Sequence, residues 1–263
     1  MNLENICLQV NELSKKVGAF IQNERSKITN DIVEEKSINS LVTYVDKSAE
    51  KQIVEALQKI IPEAGFITEE ETINKKGEVY NWIIDPLDGT TNFIHGVPCY
   101  AISIALMRNN RIVIGVVYEI NFKECFYAWE DSKAYLNGNE IRVSSSRILR
   151  DSLLATGFPY YDYKQMDQYM ALFRDLMQHT RGLRRLGSAA TDLAYVACGR
   201  FDGFYEYSLH PWDVAAGALI VQQAGGKVFD FKGGEDYLFG KEIIASNPFI
   251  IQELSETVKR YFN

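Results

Sequence analysis

The chain has 263 residues, 46% of them hydrophobic, with 15 tyrosines and 14 phenylalanines, enough to bury a substantial core in one large domain or two closely packed halves. Its formal net charge of −7 leaves no footprint for nucleic acid; the densest basic cluster, Arg181, Arg184 and Arg185, is short and reads as a solvated or interface-lining face. The composition, with six prolines, no Gly/Ser-rich stretch, no long apolar run and no basic-then-apolar start, argues against a flexible linker, a membrane span or a signal peptide.

Four dispersed cysteines, Cys7, Cys99, Cys125 and Cys198, form no C-x-x-C pair, which disfavours a zinc site or a redox dithiol. We therefore expect a cytoplasmic protein with reduced thiols. From Leu3 to Ile28, apolar residues at Ile6, Val10, Leu13, Val17 and Phe20 or Ile21 mark one face of an amphipathic helix. A second helix is predicted after Asp46, which can cap it, carrying Ile53, Leu57 and Ile60 before Pro62. The character then changes. Segments 79–84, 100–107, 111–119 and 124–129 are short and β-rich, and Asn137-Gly138 marks a turn between AYL and EIRV. Beyond about residue 150, SLLATG and GFYEY read as strands, while 162–178, 188–198, 212–224 and 248–262 read as helices. The expectation is an N-terminal half over residues 1–147, helices on a largely antiparallel sheet, and an alternating α/β half over 148–263 that closes the site.

The chemistry concentrates in WIIDPLDGTTNF, residues 82–93. Trp82-Ile83-Ile84 is a buried strand, and Pro86 cannot continue its hydrogen-bond ladder, so the chain turns where it presents Asp85 and Asp88. Gly89-Thr90-Thr91 then suits a helix start, whose free N–H groups attract an anion. Carboxylates alone would repel a phosphate, so divalent cations between them are the natural solution. Taken singly, each acidic segment has an ordinary explanation. Asp85 and Asp88 could cap a turn, Glu69-Glu70-Glu71 after the strand GFIT could be a surface charge run, and Asp213 could cap the helix it opens.

Taken together and in order, Glu69-Glu70, Asp85-Pro86-Leu87-Asp88-Gly89-Thr90-Thr91 and Trp212-Asp213-Val214-Ala215-Ala216-Gly217 resemble the signature motifs of the inositol monophosphatase family, and the likeness runs through essentially the whole chain. Gly187-Ser188-Ala189-Ala190 and Glu206 fit the same pattern. The resemblance implies a layered αβαβα sandwich of the inositol monophosphatase and fructose-bisphosphatase type, mixing α+β and α/β elements. It also implies two or three Mg²⁺ ions held by Glu69, Asp85, Asp88, Asp213 and the carbonyl of Leu87. Gly89 and Thr90 would donate to the phosphate, with Asp88 and Asp213 beside it. Asp46, matching a family aspartate that pairs with Thr90, would join Thr90 and Glu69 in orienting and deprotonating the attacking water. Gly187, Ser188, Ala189 and Glu206 match positions that contact substrate hydroxyls. Direct in-line attack without a phosphoenzyme, lithium sensitivity and a homodimer are likewise implied.

Two features depart from the family pattern: Ser40 stands where an aspartate is common, and the preceding loop is one residue short, so that Lys36 aligns only loosely with a lysine near a third metal. The histidines His95, His179 and His210 are scattered and read as packing residues, and Cys198 reads as a small core hydrophobe. Tyr160-Tyr161-Asp162-Tyr163 follows Gly157-Phe158-Pro159 and could face substrate or pack on the surface. A haloacid-dehalogenase type of phosphatase would need its two aspartates two residues apart, and no nucleotide-binding glycine motif is present. The expected activity is hydrolysis of an inositol monophosphate or a related small phosphate monoester, with NADP 2′-phosphate, fructose 1,6-bisphosphate and adenosine bisphosphate as alternative substrates. The alternative of another class is a regulatory or partner-binding protein without turnover on this fold.

Overall fold

Between Val214 and Val221 the chain carries no polar residue, and a helix that is apolar all round is stable only when buried on every side. The computed structural model, which describes residues 1–28, 33–37, 40–159 and 162–262, with backbone alone over 33–37 and 40–42, buries this stretch at the centre of the molecule. The side chains of Lys36 and Ser40, and Tyr160 and Tyr161 entirely, lie outside the described residues.

In chain order the helices are α1 (Leu3–Glu24), α2 (Tyr44–Ile60), α3 (Thr90–His95), α4 (Met166–His179), α5 (Ala189–Ala197), α6 (Pro211–Gln223) and α7 (Ile251–Lys259). Strands β1 (Val33–Ser37) and β2 (Ser40–Thr43) pair antiparallel. Strands β3 (Gly65–Thr68), β4 (Tyr80–Asp88), β5 (Ala101–Arg108), β6 (Arg111–Glu119), β7 (Glu124–Trp129), β8 (Ala134–Leu136) and β9 (Asn139–Ile141) form a seven-stranded sheet in sequence order. A five-stranded sheet takes the order β11-β10-β12-β14-β13, from β10 (Leu153–Thr156), β11 (Gly182–Arg184), β12 (Gly203–Tyr207), β13 (Lys227–Phe229) and β14 (Glu242–Ser246).

Three apolar clusters define five layers. α1 and α2 cover one face of the larger sheet through Trp82, Ile84, Ile102 and Ile104. α5 and α6 fill the space between the sheets, against Ile83, Ala105 and Val117 on one side and Phe204, Ile243 and Ala245 on the other. α4 and α7 close the outer face of the smaller sheet with Tyr169, Leu172, Leu254 and Val258. The result is the αβαβα sandwich anticipated above. Because both sheet faces are covered, Trp82-Ile83-Ile84 reads as an unbroken apolar run rather than an alternating one. Gly217 permits the α5–α6 crossing, since a Cβ there would sit 2.5 Å from Leu193 Cβ.

Several boundaries differ from the sequence reading. Asp46 is not the cap of α2: Thr43 is, and Asp46 occupies the third helical position, where its carboxylate accepts from Thr43 N–H in a capping box. β3 runs parallel to β4, the one exception in an otherwise antiparallel sheet, and the smaller sheet is mixed. Asn137 and Gly138 form the predicted two-residue hairpin between β8 and β9, both with positive φ (49° and 87°).

Candidate active site

Two residues three apart on a regular strand face opposite sides. Asp85 and Asp88 escape this because β4 is irregular between them: Asp85 pairs with Ser103 and Asp88 with Ala101, so three steps on β4 answer two on β5. Pro86, which has no N–H to give the ladder, lies inside this bulge. The extra residue resets the phase of the strand. As a result Asp85, Asp88 and the α6 residue Asp213 each offer a carboxylate oxygen within 4.8 Å of the others.

Each member of this cluster is held from behind. Asp85 Oδ1 accepts from Leu87 N–H at 2.9 Å, and Asp213 Oδ2 from His210 N–H at 2.6 Å, a capping box at the start of α6. Asp88 Oδ2 accepts from Ser188 Oγ and Ala190 N–H, both at 2.7 Å, so an aspartate on the larger sheet is fixed by the first turn of α5. Asp46 Oδ2 accepts from Thr43 Oγ1 at 2.7 Å, while its Oδ1 faces Thr90 Oγ1 at 3.0 Å. Thr90 Oγ1 lies equally close to the Leu87 carbonyl. The turn after β3 is braced by buried Glu50, which accepts from Glu70 N–H and Thr72 N–H at 2.8 Å and Thr72 Oγ1 at 2.6 Å.

These groups open into a cavity of about 280 Å³. Its walls include Glu69, Asp85, Leu87, Asp88, Gly89, Thr90, Gly187, Ser188, Ala189, Glu206 and Asp213, so every candidate named from the sequence reaches it except Asp46, which stands behind Thr90. Gly89, at φ +93°, turns the chain from β4 into α3, and a Cβ there would meet the Cys99 and Gly187 carbonyls at 3.0 and 3.1 Å. Gly157 leaves room for Glu206, whose carboxylate would lie 1.9 Å from a Cβ at that position.

The electrostatics follow from crowding. Burial, then the charges of Glu69, Asp88 and Asp213, hold Asp85 well above the usual carboxylate range. Asp213 is raised in the same way, by burial and then by Asp88, against the pull of His210 N–H. Burial pushes Asp88 up to about 6 although Ser188, Ala190 N–H and Arg185 favour its anion. Glu206 is pushed up to about 8 by burial and by Asp88, with Arg185 opposing. Such a group of oxygens fits a hard divalent cation, which prefers carboxylate, carbonyl and water ligands and would relieve the repulsion.

The structure also brings in residues that the sequence reading left out or assigned elsewhere. Arg185, placed there on a solvated or interface face, lines the cavity, while Arg181 and Arg184 are exposed. His210, read as a scattered packing residue, lines the cavity with its ring stacked on Trp212 at 4.6 Å. Asp192, Phe158 and Ser208 line it as well. Asp192 left a signal as a lone carboxylate within the apolar run AATDLAYVA, and Phe158 through its place in the Gly157-Phe158-Pro159 segment near the presumed pocket.

The fold is an αβαβα sandwich, and its cavity carries an acidic cluster compatible with a divalent metal ion. The chain belongs to the inositol monophosphatase family, which it matches over residues 2–261. That family is metal-dependent, generally on Mg²⁺. The Pseudomonas aeruginosa protein named Nus factor SuhB is 42% identical over 260 residues, spanning 97% of this chain and 95% of its own. The Escherichia coli K12 protein of the same name is 43% identical over 258 residues, 94% of this chain and 96% of its own. Among solved structures, the extragenic suppressor protein suhB of Bartonella henselae superposes with a TM-score of 0.91 at 40% identity over 99% of both chains. An IMPase from Thermotoga maritima superposes at 0.88 with 37% identity over 96% of both. No helix among the described residues is long and apolar enough to cross a membrane.

Proposed function

We propose that the protein is a Mg²⁺-dependent phosphomonoesterase acting on inositol monophosphate or a related small polyol phosphate. The observation that carries this reading is the convergence of Asp85, Asp88 and Asp213 within 4.8 Å in a cavity also lined by Glu69, Gly89 and Thr90. Glu69, Asp85, Asp88, Asp213 and the Leu87 carbonyl are the proposed ligands of two or three ions. Bound there, Mg²⁺ supplies Lewis acidity toward phosphate oxygens and lowers the pKa of water.

The chain's own residues do the rest. Thr90 donates its hydroxyl proton to Asp46, which leaves the Thr90 lone pairs free to accept from the attacking water and aim it. Glu69 takes the proton as attack proceeds. Gly89 and Thr90 N–H groups bind the phosphate oxygens, and Gly187, Ser188, Ala189 and Glu206 receive the leaving group. Displacement is direct, with no phosphoenzyme, and lithium inhibits it. NADP 2′-phosphate, fructose 1,6-bisphosphate and adenosine bisphosphate are the alternative substrates.

The test is phosphate release from inositol 1-phosphate, NADP, fructose 1,6-bisphosphate and adenosine 3′,5′-bisphosphate, with Mg²⁺, with chelator and with added Li⁺. Mg²⁺-dependent, lithium-sensitive release is expected, fastest from inositol 1-phosphate; metal-independent release, or none from any ester, contradicts the reading.

A second reading, a binding role alongside turnover, is supported by the name Nus factor that close relatives carry. With a formal net charge of −7, a protein partner fits this chain better than nucleic acid. Asp88→Asn separates the two, removing turnover while leaving the partner surface intact. We further propose a homodimer located in the cytoplasm, the latter supported by four cysteines that are all free.

A further inference from the structure

Asp192 lies in the cavity wall yet has no part in the metal cluster or the phosphate loop. It sits one turn into α5, where its N–H donates to the carbonyl of the N-cap Ser188 at 2.9 Å. Its neighbours on the helix, Ala189, Ala190, Leu193, Ala194 and Val196, are apolar and buried. Asp192 itself is 1% exposed, and its Oδ1 has no hydrogen-bond partner among the described residues. A carboxylate oxygen left alone in such surroundings is a costly arrangement that a packed core avoids. Asp192 lines a cavity rather than lying in solid core, so a ligand seated there can supply a donor to its carboxyl group.

The surroundings say what kind of donor. Glu206, also buried, lines the same cavity and is the charged group that acts most strongly on Asp192, followed by Asp88; Arg185 opposes both acids. Gly157 and Phe158 complete this part of the wall. Two carboxyl groups lining one cavity accept hydrogen bonds from hydroxyls, disfavour a second anionic group, and gain nothing from an apolar leaving group.

We propose that Asp192 is a specificity-determining residue: together with Glu206 it receives adjacent hydroxyls of the leaving group, so the site selects phosphate monoesters of polyols over esters that bring no hydroxyl there. This rests on the phosphatase reading above and names the substrate feature that the site measures. A site built to bond a substrate hydroxyl discriminates strongly against an analogue lacking it, because its own buried group is then left unpaired.

The experiment compares Asp192→Asn, which keeps the side-chain volume, and Asp192→Leu, which removes both acceptors, with the wild type. Inositol 1-phosphate and p-nitrophenyl phosphate are assayed with Mg²⁺, and each variant is checked by circular dichroism. The ratio of kcat/KM for inositol 1-phosphate to that for p-nitrophenyl phosphate is expected to fall about tenfold to a hundredfold in the Asn variant, and further in the Leu variant. Free myo-inositol should also compete with p-nitrophenyl phosphate at least about tenfold less well in Asp192→Asn than in the wild type. An unchanged ratio, or parallel loss on both esters, overturns the assignment while leaving the phosphatase reading intact. If the wild type hydrolyses neither ester, the phosphatase reading falls and the assignment falls with it.

Discussion

Ser188 Oγ donates to Asp88 Oδ2 at 2.7 Å, across a hundred residues of sequence and between the two sheets. The bond ties a cluster aspartate on β4 to the N-cap of α5, so the geometry of the carboxylate cluster depends on how the halves of the chain pack. Ser188 also accepts from Thr191 N–H at 3.2 Å. Ser188→Ala therefore removes a cap and a brace at once. A stability loss of about 1 kcal/mol is expected from the cap. A several-fold weaker Mg²⁺ affinity should accompany it, read by thermal melting and by calorimetric titration of the metal.

Glu50 offers a similar test from the other side of the site. It carries no proposed contact with substrate, yet its carboxylate holds Glu70 and Thr72 and thereby the turn that begins at Glu69. Glu50→Gln places amide hydrogens against donors, and about 2 kcal/mol of stability should be lost. Mg²⁺ binding should weaken in the same variant. Unaltered metal affinity in a folded Glu50→Gln protein would show that the turn does not need this brace.

The raised carboxylates set a pH dependence whose sign is fixed. Asp85, Asp88, Asp213 and Glu206 all bind protons more tightly in the folded chain than an exposed carboxylate, with Asp88 at about 6 and Glu206 at about 8. Their contribution to stability is complete below the unfolded value of about 4 and is lost as pH rises through the folded ones. In chelator, urea unfolding at pH 8 should thus require less denaturant than at pH 5. Added Mg²⁺ should stabilise more at pH 8, where the ligands are ionised.

Gly157→Ala tests the seat of Glu206, since the new Cβ would lie 1.9 Å from Oε1 and 2.1 Å from the carboxyl carbon. The carboxylate must move, at a cost of about 1–3 kcal/mol. KM for a polyol phosphate should rise more than kcat falls. Glu206→Gln should likewise weaken some substrates more than others; equal losses across the substrate panel would remove its assigned role in specificity.

Much of this was legible in the sequence because the motif residues act through short-range geometry. D-P-L-D-G marked where the two aspartates are presented, although the turn expected at Pro86 is a bulge and β4 runs on to Asp88, a detail set by pairing with β5. The amphipathic spacing of Val10, Val17 and Ile21 fixed the buried face of α1, and Asn137-Gly138 its hairpin. What stayed hidden depends on long-range packing. Nothing around Arg185 or Ser208 distinguishes a cavity wall from a surface, and Asp46 reads as a cap until Thr43 is seen taking that place. β14 (Glu242–Ser246) escaped because a five-residue segment with four buried residues in a row carries no period that separates strand from helix.

The most direct test follows phosphate release from inositol 1-phosphate while Mg²⁺ is titrated into chelator-treated wild type and Asp88→Asn. The account predicts no release without metal, saturable activation of the wild type, and no recovery of the variant at any Mg²⁺ concentration. Release in the presence of chelator, or full activity from Asp88→Asn, would contradict a carboxylate cluster that works by holding Mg²⁺.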